Sequence, residues 1–138
     1  MSRTSFCLAA SLASLCVLAA PMRAQSASAT VGRLVVVKLV AKAGSVPYAF
    51  EPESVTAQYG DTLRFIEDAA MMHNVRFTSH PSGSKLGAAT TGPYLTTKGE
   101  KYDLLIDGRF TAGHYEFVCD PHAMLGMHGE LTVAKRAQ

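Results

Sequence analysis

Residues 113–129 read GHYEFVCDPHAMLGMHG and join a short strand to a loop rich in metal-binding side chains. Tyr115 and Phe117 alternate with polar residues, which predicts a half-buried strand because successive strand side chains point to opposite faces. Cys119 has the same parity as the two aromatic residues, so we expect its thiol to face the interior at the end of the strand. His114 has the opposite parity and is expected to face solvent.

The same alternation recurs about seven times along the chain, with glycine or proline between the segments. It marks strands at residues 33–42, 55–59, 62–65, 74–77, 101–106, 114–117 and 131–133. Repeated short strands of this kind predict a single all-β domain, an antiparallel sandwich or barrel. The longest break, residues 79–93, is rich in Ser, Gly, Thr and Ala and is expected to form a surface loop.

Residues 1–29 are typical of a secretory signal peptide. Arg3 is the only charge before an apolar run from Phe6 to Ala20, and Pro21 and several small residues follow. An apolar run of about 15 residues is too short for a membrane span, which takes roughly 20. We expect cleavage within residues 24–29, a single mature domain over residues 30–138, and a periplasmic or secreted protein without stable membrane insertion.

Removal of this leader changes what the composition implies. The whole sequence has 13 basic and 11 acidic residues, a net charge of +2 and three cysteines. Cleavage after Ala24 would remove two arginines and two cysteines, so the mature chain would be neutral and keep only Cys119. Neutrality argues against nucleic acid as a partner. A lone thiol in an oxidising compartment is expected to be buried, metal-bound or catalytic.

Four side chains form a candidate metal-ligand set. Cys119, His122 and Met127 lie in one short loop, and His73 lies 46 residues upstream of the cysteine. Two imidazoles, a thiolate and a weak thioether suit copper, because borderline nitrogen and soft sulfur serve both Cu(II) and Cu(I). Structural zinc sites rarely use a thioether. Met124 in the same loop is the alternative thioether.

Two motifs stand out in the chain. The first is His73-Asn74, and the second runs through Gly113, Tyr115, Phe117, Cys119, His122, Met127 and Gly129. They resemble those of the cupredoxins, the blue type 1 copper proteins of the plastocyanin and pseudoazurin kind. Phe50-Glu51-Pro52 and Gly60-Asp61-Thr62 also resemble the early strands of that family. The similarity covers roughly residues 33–135. It implies a Greek-key β-sandwich of about seven to eight strands.

The resemblance also implies a role for each residue. His73, Cys119 and His122 would be the strong ligands of one copper ion, and Met127 the weak axial ligand. The backbone N–H of Asn74 would hydrogen-bond the cysteine sulfur, and its side chain would tie the two ligand segments together. Such bonds around a metal fix ligand geometry and tune its properties.

The implied function is a monomeric carrier of single electrons between larger redox proteins, such as a cytochrome, an oxidase or a reductase. In this family the loop histidine lies within an apolar surface where partners dock. The corresponding patch here would comprise Met71, Met72, Pro121, Ala123, Met124 and Leu125. The remaining histidines, His80, His114 and His128, are expected to be exposed and without a role.

Other functions fit the sequence less well. A cysteine nucleophile needs an exposed, activated thiol, whereas parity buries Cys119. A multicopper oxidase has a histidine beside the copper cysteine, but Val118 and Asp120 occupy those positions. A periplasmic copper carrier or storage protein with the same fold remains the alternative, because Met71, Met72 and Met124 could bind Cu(I). No repeated methionine or histidine cluster supports that alternative.

Overall fold

The computed structural model describes residues 32–135, and the expected signal peptide at 1–29 lies outside the described residues. Within these described residues, eight strands form two sheets: β1 Leu34–Ala41, β2 Tyr48–Glu51, β3 Ser54–Ala57, β4 Thr62–Glu67, β5 Arg76–Ser79, β6 Lys101–Leu105, β7 Gly113–Val118 and β8 His128–Val133. The same stretch contains two short 3-10 helices, Gly87–Thr90 and Asp120–Leu125. The predicted all-β sandwich is confirmed. Within the described part of the chain, no helix has the length and apolarity needed to cross a membrane.

Within residues 32–135, the prediction of antiparallel pairing holds for four of the six strand pairs and is wrong for the other two. One sheet has the order β2-β1-β4-β6 and the other β3-β8-β7-β5. β1 runs parallel to β4, and β3 runs parallel to β8. Parallel neighbours need a long crossover, and here β2 and β3 lie between β1 and β4 along the chain. The alternation of side chains reports which face is buried but not the direction of the neighbouring strand.

Interlocking aromatic rings fill the space between the two sheets. Phe50, Phe65 and Phe117 meet edge to face with ring centroids 4.8–6.2 Å apart. Such pairs add stabilisation beyond the burial of their area. Because the three rings come from β2, β4 and β7, they join both sheets into one core.

The prediction of a plain surface loop at residues 79–93 is wrong in part. The segment contains the first 3-10 helix, and the side chains of Leu86 and Ala89 are buried in the core. Its polar composition obscures these two apolar anchors. The segment therefore covers one edge of the sandwich instead of lying free in solvent.

One end of the sandwich gathers the candidate ligands. β4 ends there, and the chain continues to His73, which exchanges backbone hydrogen bonds with Leu95 of 2.9 and 2.8 Å. β7 ends at the same place and runs into Cys119, while β8 leaves from His128. The two ligand segments therefore follow strands of different sheets and meet where the sheets close together.

Candidate metal centre

The atoms of three predicted ligands converge on one point. His73 Nδ1 lies 3.5 Å from Cys119 Sγ, His122 Nδ1 lies 3.4 Å from the same sulfur, and the two nitrogens are 3.0 Å apart. All three residues are buried, and His122 keeps the largest exposed fraction, 9%. Among residues 32–135, only this group of His, Cys, Asp or Glu side chains gathers its ligand atoms in this way.

The loop between β7 and β8 folds so that its ligands return to one place. His122 N–H donates to the Cys119 carbonyl at 3.0 Å within the second 3-10 helix. Gly126 then adopts a left-handed φ of +87° and ends the helix, a conformation that glycine adopts without strain. Beyond it, Met127 N–H donates to the His122 carbonyl, and the Met127 carbonyl accepts from Cys119 N–H at 3.3 Å.

The two candidate thioethers occupy opposite environments. Met127 has no exposed surface, and its backbone is bonded to both loop ligands. Met124 is 96% exposed and its side chain lies in solvent. Met127, rather than Met124, is therefore arranged with His73, Cys119 and His122 to bind one metal ion.

Burial keeps this ligand set uncharged before metal binds. It lowers the pKa of His73 to about 4, with a contribution from the neighbouring His122, and it also lowers the pKa of His122. Burial raises the pKa of the Cys119 thiol, although the backbone N–H groups of Asn74 and His122 donate to its sulfur and oppose the rise.

A cation fits this donor set. Neutral imidazoles already present free lone pairs, and a bound cation supplies the charge that a buried thiolate needs. Two imidazole nitrogens and one sulfur around a shared point, with a thioether close by, form the soft and borderline set that copper prefers. These residues therefore fit copper in both of its common oxidation states.

The comparison with known families agrees with this chemistry. Residues 35–134 match the family of copper binding proteins, plastocyanin/azurin family. The chain belongs to the plastocyanin/azurin family. Copper is therefore its cofactor, and the chain is a blue copper electron carrier with the cupredoxin fold.

Individual relatives show how far the likeness extends. A plastocyanin from Scenedesmus fuscus is 40% identical over 101 residues, which cover 72% of this chain and 98% of the relative. A chloroplastic plastocyanin from Tetradesmus obliquus is 36% identical, over 70% of this chain and 65% of the relative. Among solved structures, oxidised plastocyanin from Dryopteris crassirhizoma has a TM-score of 0.58 and 27% identity, covering 72% of this chain and 99% of that one. Pseudoazurin from Methylobacterium extorquens AM1 has a TM-score of 0.53 and 26% identity, covering 76% and 78%.

In this cupredoxin a side-chain network joins the two ligand segments. Asn74 Nδ2 donates to an Asp120 carboxylate oxygen at 2.8 Å, and its Oδ1 accepts from Asp120 N–H at 2.8 Å. Arg76 forms an ion pair with the same carboxylate. The motif marks Asn74 in the sequence, whereas nothing there marks Asp120 as its partner or Arg76 as the counter-ion of Asp120. The residues beside His73 and Cys119 are thus fixed to one another by direct bonds.

The cupredoxin site also includes an aromatic residue that sequence reasoning missed. The ring of half-buried Tyr48 lies 4.1 Å from the His122 ring and 5.3 Å from the His73 ring, centroid to centroid. β2 supplies this ring, and a strand of only four residues is too short for its alternation to be recognised. Parity with Phe50 was the available signal, because both side chains point inward.

The surface around the cupredoxin's ligands is largely apolar. Met71 and Met72 are exposed beside His73, and Pro121, Met124 and Leu125 are exposed around His122, with Ala123 half-buried. Val46 adds to this surface and faces Gly126. The other histidines, His80, His114 and His128, are exposed and lie outside the ligand cluster.

Proposed function

We propose that the protein carries single electrons between larger redox proteins and that His73, Cys119, His122 and Met127 hold its one type 1 copper ion. The convergence of the two imidazole nitrogens and the thiol within 4.8 Å of one another carries this proposal. Bound copper supplies a one-electron couple between Cu(II) and Cu(I). The family membership supports this type of carrier, while the convergence of His73, Cys119 and His122 and the burial of Met127 support the ligand roles.

The protein's part in the reaction is to hold one ligand arrangement in both oxidation states. The Asn74–Asp120 pair fixes the two ligand segments, and the Asn74 N–H donates to the cysteine sulfur. The Tyr48 ring packs against both imidazoles and restricts their rotation. A site that does not rearrange loses little energy to reorganisation, so electrons can enter and leave rapidly.

Burial of the ligands favours a carrier over a catalyst. His73 and Cys119 have no exposed surface, so a substrate would have no open coordination position to reach. His122 is the ligand nearest to solvent, and we propose that electrons pass through its edge. The apolar residues around it, Met71, Met72, Pro121, Ala123, Met124 and Leu125, would form the docking surface for a cytochrome, an oxidase or a reductase.

Copper titration tests the site directly. One equivalent of Cu(II) added to the purified protein is expected to produce an intense blue absorption band. Cys119→Ala should abolish the band, because the thiolate is its source, while His114→Ala should leave it intact, since His114 is exposed and outside the cluster. A colourless wild-type protein, or a band that survives in Cys119→Ala, would refute the ligand assignment.

Electron exchange separates a shuttle from a copper carrier or storage protein. A shuttle should show a reversible one-electron couple and exchange rapidly with a c-type cytochrome, whereas slow exchange would favour the carrier. Met124→Lys should slow this exchange at an unchanged reduction potential, because it places a charge in the proposed docking surface. Leu34→Lys is the matched control, since Leu34 is exposed at the start of β1, at the other end of the sandwich. Equal rates in the two variants would contradict the docking surface.

Export is part of the same proposal. The leader-like residues 1–29 support a cleaved signal peptide and a periplasmic or secreted protein. Mass spectrometry of the protein recovered from the producing cell's envelope or medium should give a first residue between 25 and 30. Recovery of the intact chain from the cytoplasm alone would contradict export.

A further inference from the structure

A buried carboxylate stands at the end of β4, outside the predicted ligand set. Glu67 has no exposed surface, and one of its oxygens accepts from Ala69 N–H at 2.8 Å. The other oxygen, Oε2, has no hydrogen-bond partner within residues 32–135. A fully buried glutamate is rare unless it is paired, so this unpaired oxygen calls for an explanation.

The backbone of the following turn closes around this carboxylate. The N–H groups of Ala70 and Met71 are directed at it together with that of Ala69. Ala70 has a φ of +54° and is the one non-glycine residue with a left-handed φ in the described range 32–135. Successive N–H groups arranged about a left-handed residue form an anion-binding nest. The Glu67 carboxyl group occupies this nest, and the turn that it holds leads directly to His73.

Among residues 32–135, no basic side chain forms an ion pair with Glu67. Lys38 and Lys98 are both paired with the next residue, Asp68. Glu100 adds a second negative charge close to Glu67. Burial raises the pKa of the Glu67 carboxyl, and the three backbone N–H groups oppose that rise because they favour the ionised form.

The same carboxylate lies at the ligand end of the sandwich. Glu67 is the last residue of β4, and the chain reaches His73 six residues later. Asp120, next to Cys119, lies at the same end. Asp120 is half-exposed and neutralised by Arg76, whereas Glu67 is enclosed and without a counter-ion in the described structure. A charge in a water-free interior is screened much less than one at the surface. Glu67 is thus a buried acidic residue without a counter-ion at the end of the sandwich that holds the copper centre.

We propose that Glu67 is a positioning residue of the copper centre: its carboxylate holds the 69–71 turn that presents His73, and its buried charge lowers the reduction potential. The inference rests on the proposed copper site. A nearby negative charge stabilises Cu(II) more than Cu(I), because the oxidised ion carries the larger positive charge. The protein thereby resists reduction more than the same ligand set would without Glu67.

Glu67→Gln removes the negative charge of the side chain and keeps its size and shape nearly unchanged. The amide keeps an oxygen for the nest but removes the negative charge. We expect Glu67→Gln to bind copper with the wild-type blue spectrum and to shift the Cu(I):Cu(II) equilibrium toward Cu(I) at least threefold, about 28 mV by voltammetry at 59 mV per tenfold change. Glu100→Gln is the matched control, since Glu100 is exposed and contributes a charge in the same region. A potential for Glu67→Gln equal to that of wild type or of Glu100→Gln would overturn the charge effect.

The positioning effect is measured without copper. In the metal-free protein, Glu67→Ala should accelerate hydrogen exchange at the amides of Ala69, Ala70 and Met71, while Glu67→Gln should keep most of their protection. Unchanged exchange in Glu67→Ala would overturn the positioning role. If Glu67→Gln does not fold, Glu67→Met provides the same test of charge with a neutral side chain of similar length. A wild-type protein that takes up no copper would refute the proposed function. The hydrogen-exchange experiment would still test whether Glu67 holds the 69–71 turn.

Discussion

Acid should destabilise the metal-free protein through His73. The imidazole is fully buried, so its charged form is poorly solvated, and its Nδ1 faces His122 Nδ1 at 3.0 Å, where a positive charge on His122 opposes a second one on His73. These surroundings lower the pKa of His73 from 6.5 to about 4. Between pH 6.5 and about pH 4, the unfolded chain therefore binds a proton at His73 that the folded protein excludes.

The size of the effect follows from this shift. Each pKa unit corresponds to about 1.36 kcal/mol, so the 2.5-unit difference between 6.5 and about 4 amounts to about 3.4 kcal/mol. The folded-state pKa is the lower one, so the penalty is negligible above pH 7, grows as the pH falls and is complete below pH 4. Linkage places about 2 kcal/mol of the loss between pH 7 and pH 5. That is a large part of the 5–15 kcal/mol that roughly bounds the stability of a small domain.

Urea unfolding of the metal-free protein at several pH values measures this loss. His73→Gln should flatten the profile by about 2 kcal/mol between pH 7 and pH 5, because glutamine cannot take up the proton. His114→Gln is the control and should follow wild type, since His114 is exposed. Parallel profiles for wild type and His73→Gln would refute the claim that His73 is held neutral by burial. Bound copper should not remove this dependence, because a metal-bound imidazole also excludes the proton that the unfolded chain takes up.

Three further substitutions test the site and its supports. Met127→Leu should keep copper but shift the reduction potential, because the thioether is the weak ligand; complete loss of copper by elemental analysis would contradict that role. Ala70→Gly should raise the free energy of unfolding by about 1 kcal/mol in urea, since glycine relieves the strain of a φ of +54°; a lower value would count against strain there. Gly129→Ala should lower it by about 1–3 kcal/mol, because the added Cβ would lie 2.3 Å from the Phe117 ring. An unchanged free energy of unfolding would contradict this prediction, because it would mean that the Phe117 ring moves aside without cost.

The alternation of side chains predicted the interior correctly wherever strands are regular. Tyr115, Phe117 and Cys119 share one parity and are all buried. Parity alone places Asn74 on the outside, yet it is buried because its amide pairs with Asp120 and its N–H bonds the Cys119 sulfur. Local periodicity cannot anticipate a polar residue that is drawn inward by partners distant in the sequence.

Glu67 shows the opposite case, in which the alternation correctly indicates that a charged residue faces the interior. Leu63, Phe65 and Glu67 alternate along β4, and all three are buried. A carboxylate at an inward position conflicts with the ordinary preference of glutamate for water, and such conflicts tend to occur at functional sites. The backbone nest that receives the carboxylate depends on the left-handed φ of Ala70, which sequence periodicity does not reveal.

The position of the centre between the two sheets explains how so small a protein can present a rigid site. His73 lies on the connection that leaves β4 of one sheet for β5 of the other, and Cys119 directly follows β7. Motion of one sheet relative to the other would separate the ligands, but the Asn74–Asp120 bonds and the shared aromatic core oppose that motion. The ligands are thus brought together by forces that do not involve the metal. A change in the charge of the metal then meets a fixed set of atoms, and a centre built in this way favours rapid electron exchange.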